Sequence, residues 1–225
     1  NSLSWPRRAL VPLPEGWAGA TDAAGAALAT QDIDGRQYAE ADVPACGWTT
    51  LGRAGTAGAP AEAPAGGVRA EPGLLENDLL RVELDELGRL TSVWDKEADR
   101  ELLAGPANEL RMFKDVPSRY DAWDIDRMYR DSPVPLEAPA EIEALAAGPL
   151  AGVLRLRRPI ANSHLTQIIR LRRGQRRIDF ETVLDWQETH KLLKVAFPVD
   201  VHADHALHEI QFGHIARPNH ASWPH

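Results

Sequence analysis

Apolar and polar residues alternate with a period of two along most of this chain, and the alternation breaks at clusters of turn-forming residues. In "NDLLRVELDELGRLTSVWDKE", Leu80, Val82 and Leu84 alternate with Arg81 and Glu83, "DELG" supplies turn residues, and Leu90, Ser92 and Trp94 resume the alternation. A period of two interrupted by a short turn predicts a β-hairpin. From Glu141 to Trp186 the same pattern repeats as "EIEALAA", a turn at Gly148 and Pro149, "AGVLRLRR", "LTQIIRLR", a turn at "RGQ", and "RIDFETVLDW". Four strands at hairpin spacing predict an antiparallel sheet of some size. A further strand is expected over "LLKVAF", residues 192–197.

The first 55 residues hold "SWPRRALVPLP" and "RQYAEADVPACGWTTL", extended segments broken by prolines. Proline cannot donate to a helix or a central ladder, so these read as short strands of a small β module. "GRAGTAGAPAEAPAGGVRA", Gly52 to Ala70, has almost no large apolar side chain with which to offset its ordering entropy, and reads as a linker. The expected class is all-β. A small β domain with its linker spans residues 1–70, and a larger antiparallel β domain spans 71–225.

Composition narrows the function. The chain of 225 residues carries a formal net charge of -8, which argues against nucleic acid or an anionic membrane as partner, since both recruit excess Lys and Arg. No apolar run reaches the roughly 18 residues of a membrane span. Cys46 is the single cysteine, which excludes an internal disulfide and a cysteine-based zinc site and suits a reducing, cytoplasmic compartment.

Candidate chemistry is sparse. Arg155 and Arg157 share one strand face and Arg170 and Arg172 another, which reads either as a phosphate groove or as a face balanced by Asp179 and Glu181; the alternation favours the second. His202, His205 and His208 would converge on a helix, but the stretch before them reads as strand and loop, where His202 and His208 share a face and His205 points away, so no metal site is expected. Ser163 precedes His164, and strand neighbours point to opposite faces. Asp185, Glu188 and His190 in "DWQETH" read as a turn feeding the next strand. One stretch is different: "DVPSRYDAWDIDRMYRD", residues 115–131, mixes Tyr120 and Trp123 with carboxylates and arginines and has no clear period.

The succession "NSLSWPR", "ENDLLRVELDELGRLTSVWDKEADREL", "NELRMFKDVPSRYDAWDID", "WQETHKLLKVAFPVDV" and "HEIQFGHIARPNH" resembles, in order and spacing, the C-terminal β region of class II α-mannosidases, glycoside hydrolase family 38, and is most similar to the cytosolic and bacterial branch. The resemblance covers nearly the whole chain. It departs at the end, where family members run on past "RPTH" through "NTSWDWARFEV" and this chain reads "RPNHASWPH".

That resemblance implies that residues 71–225 form an antiparallel β-sandwich, a supersandwich similar to galactose mutarotase-like folds, incomplete at its C-terminus. It also implies retaining hydrolysis of terminal α-mannosides by an N-terminal catalytic domain whose aspartate nucleophile and zinc, or other divalent metal, match no segment here. The chain is therefore expected to hold no catalytic residue, no metal site and no bound cofactor, and to be inactive alone. Its expected partners are an α-mannoside oligosaccharide and the rest of the same enzyme. Sugars stack C–H faces on aromatic rings while carboxylates take their hydroxyls, so the resemblance makes Tyr120, Asp121, Trp123 and Asp124 the candidate substrate contacts, with Arg119 orienting the carboxylates. The competing reading makes Trp123 a core or domain-interface residue and lets the aspartates cap turns or pair with Arg119 and Arg127. Two further readings stay open: a stand-alone carbohydrate-binding module, and a structural scaffold that exposes apolar surface and forms a homo-oligomer.

Overall fold

The structure is a computed structural model that describes residues 1–55, 66–121 and 123–219. Its strands in chain order are β1 (Arg7–Pro12), β2 (Ala20–Thr21), β3 (Thr30–Ile33), β4 (Arg36–Val43), β5 (Gly52–Arg53), β6 (Arg69–Glu71) and β7 (Leu74–Glu76). The middle of the chain forms β8 (Leu80–Leu84), β9 (Leu90–Asp95), β10 (Arg100–Glu101), β11 (Glu109–Lys114), β12 (Pro133–Val134) and β13 (Glu141–Ala146). The last third forms β14 (Ala151–Ile160), β15 (Ser163–Arg172), β16 (Ile178–Asp185), β17 (Lys191–Ala196), β18 (His205–Ile210) and β19 (Gly213–Pro218). A 3-10 helix, Arg127–Asp131, sits between β11 and β12. The all-β expectation holds. Among the described residues no helix is long and apolar enough to cross a membrane.

Two sheets form the main sandwich. One has the order β10-β9-β8-β7-β6 and the other β13-β14-β15-β16, and every pairing is antiparallel. Between them lies a core of Leu75, Leu80, Val82, Leu90 and Val93 from the first sheet, Val68 just before its strand β6, and Leu154, Ile169 and Leu171 from the second. The sheets approach closely at Gly152, where an added Cβ would lie 2.8 Å from Val68 Cγ1 and 3.1 Å from Leu75 Cδ2. Side chains pointing inward from two strand sets, at a period of two, produce this dry layer.

The second sheet is covered on its other face as well. Ile33 packs on Ala151 and Val153, with Leu10 and Tyr38 beside them, so the small sheet β1-β4-β3 lies across the outer face of β14. The seam is fixed by Gln31, which is only 8% exposed. Its Oε1 accepts from the backbone N–H of Leu150 at 2.8 Å and of Ala151 at 2.9 Å, while its Nε2 donates to the Ala151 carbonyl at 2.7 Å. A buried amide with its donor and acceptor engaged avoids the penalty of an orphaned polar group and sets one geometry for the two sheets. A third sheet, β12-β11-β17, packs Met112 and Leu193 against Leu156, Ile160 and Leu165. The hairpin β18-β19 joins none of these sheets.

Several expectations meet their physical corrections here. The hairpin over residues 80–95 forms, and its turn is held by Asp85, whose Oδ1 accepts from the N–H groups of Leu87 and Arg89, both at 3.0 Å. The register, however, slips at Thr91: Glu83 pairs with Ser92 but Leu84 with Leu90. A bulge of one residue inverts the faces beyond it, so Val93 and Asp95 turn inward and Trp94, expected in line with Leu90, points outward. The linker expected over Gly52–Ala70 has strand at both ends, since Gly52–Arg53 pairs with β2 and Arg69–Ala70 belongs to β6; residues 56–65 lie outside the described residues, as do residues 220–225. His202 precedes β18 rather than sharing its face with His208.

Candidate functional site

β11 ends at Lys114, and the chain then leaves the sheet for the loop of residues 115–126 before the 3-10 helix returns it to β12. The backbone N–H of Asp115 donates to the His190 carbonyl at 2.9 Å, which ties the loop's start to the residue before β17. The far end is closed by Asp126, whose Oδ2 accepts from the N–H of Ser118 at 2.9 Å and from its hydroxyl at 2.8 Å. The tip is a tight turn in which the Tyr120 carbonyl accepts from the N–H of Trp123 at 2.9 Å and of Asp124 at 3.0 Å. Tyr120 itself has φ of +53°, the left-handed region that an aromatic residue seldom occupies.

The consequence is an aromatic tip in water. Tyr120 is 70% exposed and Trp123 85% exposed. The core reading of Trp123 is therefore wrong for this chain, because no apolar layer reaches the loop. Arg119 and Arg127 form no ion pair among the described residues; at the tip, His190 Nδ1 lies 3.9 Å from Asp121 Oδ2. Capping of turns by aspartate does occur, but through Asp126. Of the four candidates, the structure gathers Tyr120, Asp121, Trp123 and Asp124 on one exposed turn, with His190 beside it; Ala122 lies outside the described residues.

Sequence reasoning passed over a second cluster, on the 3-10 helix and β17. Tyr129, in the 3-10 helix, stands edge-on to Phe113 of β11 with ring centroids 5.1 Å apart. Its hydroxyl oxygen accepts from Lys194 Nζ of β17 at 2.7 Å and from Arg130 Nε at 3.4 Å. Lys194, then Arg130, hold the phenol below its usual pKa by donating to its oxygen. The signal was available as the aromatic Tyr129 within the unusual loop, but its partner Lys194 lies 65 residues away and only the β11–β17 pairing joins them.

The remaining candidates are structural. Glu188 accepts from the N–H of Asn162 at 2.6 Å and from the Ser163 hydroxyl at 3.1 Å, fastening the β14–β15 turn. Ser163 is fully buried, and its hydroxyl also accepts from the Gln187 N–H at 2.9 Å, while His164 points to solvent. The arginine faces do not make a groove: Arg155 pairs with Glu143 at 2.5 Å and Asp34 at 3.7 Å, and Arg172 donates to the Arg8 carbonyl at 3.0 Å. These arginines tie the small sheet to the large one. Among the described residues no three His, Cys, Asp or Glu side chains are placed to hold a metal ion.

The family described as "Glycosyl hydrolases family 38 C-terminal domain" matches residues 75–224, two-thirds of the chain. The chain belongs to this family. Its family 38 relatives include alpha-mannosidase 2C1 of Homo sapiens, 39% identical over 155 residues, and alpha-mannosidase G of Dictyostelium discoideum, 35% identical over 161 residues. These alignments cover 66% and 67% of this chain, which spans 15% of the length of either relative. Two solved structures from Enterococcus faecalis share the fold: a glycosyl hydrolase family 38 protein, with TM-score 0.71 over 96% of this chain and 34% of that one, and an alpha-mannosidase, with TM-score 0.65 over 98% and 33%. Both are 14% identical to it. The fold, over nearly the whole chain, is thus shared with these structures at a level where the sequences themselves have diverged.

Proposed function

We propose that this chain is the non-catalytic C-terminal β part of an α-mannosidase, and that the turn of Tyr120, Asp121, Trp123 and Asp124 contacts the mannoside. Retaining hydrolysis is carried out by a carboxylate pair in a catalytic domain outside this chain, where zinc or another divalent metal is also bound. Residues 1–70 serve as a small β domain and 71–225 as the large sandwich, in a cytoplasmic enzyme. The observation that carries the sugar contact is the solvent exposure of both aromatic rings on one tight turn flanked by carboxylates. Such a turn matches what a saccharide needs: a flat apolar face with acceptors at its edge.

Calorimetric titration of the chain with mannose and short α-mannosides, beside a chromogenic α-mannoside assay with added zinc and cobalt, tests this. Heat without turnover is the expected result. Turnover would place catalytic groups within this chain and overturn the non-catalytic reading; absence of both heat and turnover would overturn the sugar contact and leave a scaffold.

A further inference from the structure

Two cations, Lys194 and Arg130, meet one phenol, that of Tyr129, and a third, Arg111, stands across the ladder from Lys194. Arg111 and Lys194 are directly opposite each other in the ladder, an arrangement of like charges that destabilises an antiparallel pair. Lys194 and Arg130 then converge on the same Tyr129 oxygen, at 2.7 Å and 3.4 Å, and Lys194 Nζ also lies 5.1 Å from the Tyr129 ring centroid. Arg111 is neutralised by Glu109 at 2.5 Å. Lys194 and Arg130 form no ion pair among the described residues, in a chain with 33 acidic side chains and net charge -8. The phenol is also pinned from beneath by Phe113, so the cluster is held in place rather than loosely grouped.

A tyrosine oxygen that accepts from two cations still has its own proton to donate. The N–H groups that Lys194 and Arg130 do not spend on this oxygen stand next to one hydroxyl donor, a set that is complementary to an oxyanion with several acceptor oxygens. We propose that Tyr129, Lys194 and Arg130 form a phosphate-binding subsite on the 3-10 helix and β17. The phosphate is either free in solution or carried on a sugar. The inference does not depend on the sugar contact of Tyr120 and Trp123, because its three groups lie on the 3-10 helix and β17.

The full chain has three tyrosines, so ionisation of Tyr129 can be followed by ultraviolet absorbance and assigned with Tyr129→Phe. Inorganic phosphate, titrated at constant ionic strength with chloride as the control, is expected to raise the pKa of this phenol saturably, since a bound anion disfavours phenolate. Lys194→Gln and Arg130→Gln, both at exposed positions, should each weaken phosphate binding by about tenfold, with circular dichroism confirming the fold. Tighter binding of mannose 1-phosphate than of phosphate assigns a sugar-borne ligand, and equal binding assigns free phosphate. No saturable shift with either probe, a response in both variants undiminished from that of the parent chain, or the same shift with uncharged mannose overturns the subsite.

Discussion

The hairpins β14–β15 and β18–β19 are built alike, as antiparallel pairs joined by tight turns, yet one is buried on both faces and the other on neither. In β14–β15, Leu154 and Ile169 face the five-stranded sheet, while Ala151 and Val153 face the small sheet. In β18–β19, Leu207 is 72% exposed and Ile210, Phe212 and Ile215 are exposed beside it. Local pairing is complete in both. A ladder therefore does not by itself make a core; a hairpin gains most of its stability from what lies against its faces, and a lone two-stranded one is marginal in water.

The sharpest test of this contrast is truncation in each hairpin. Leu154→Ala should cost about 2–5 kcal/mol in chemical unfolding, since the lost methyl groups leave a cavity between two sheets. Leu207→Ala should change stability by less than about 0.5 kcal/mol; a cost approaching that of Leu154→Ala would mean that the second hairpin is packed in solution.

The seam between the small and large sheets should respond next. Gln31→Ala leaves the N–H groups of Leu150 and Ala151 without their acceptor, and a buried donor so orphaned costs about 1–3 kcal/mol. Amide exchange should accelerate at Leu150 and Ala151 before it does in the β8–β9 ladder. Unchanged exchange there would show that apolar contact at Ile33 alone holds the sheets together.

Acid should loosen the five-stranded sheet at a specific carboxylate. Burial pushes the Glu101 pKa up, but hydrogen bonds from the Ser92 hydroxyl and the N–H groups of Val93, Leu103 and Leu102 outweigh it and hold the value below the ordinary glutamate range. The native state then binds this proton less readily than the unfolded chain. Its contribution to stability is present above the usual glutamate range and is lost as pH falls through the lowered folded value. Glu101→Gln should therefore be less stable than the parent at neutral pH and lose less on acidification, as read from urea midpoints across the acid range.

The smallest expected effect on folding comes from the candidate site. Trp123→Ala should leave the unfolding free energy within about 0.5 kcal/mol while removing the heat of mannoside binding. Loss of soluble protein instead would mean that the ring is covered by an interface in solution.

Much of the scaffold was legible in the chain. Strands β13 to β16 follow the predicted segments closely because a period of two with turn residues at hairpin spacing leaves few alternatives. The strand after His190 was legible too, and β17 occupies Lys191–Ala196. Trp94 was misplaced because a bulge at Thr91 changes the face of every later residue without altering composition. Within residues 115–131 the sequence marked an unusual loop but not its conformation, since Trp123 has the same letter whether it is buried or 85% exposed.

By itself, then, the amino-acid order determined that the backbone would form antiparallel ladders and where most of them begin and end, since alternation and turn chemistry act over a few neighbouring residues. Only the tertiary structure decided that Gln31 meets Ala151, 120 positions away, that the arginine faces join sheets rather than open a groove, and that Lys194 reaches Tyr129. Those outcomes depend on which sheet lies against which, and that is set by the burial of surfaces brought together from distant parts of the chain.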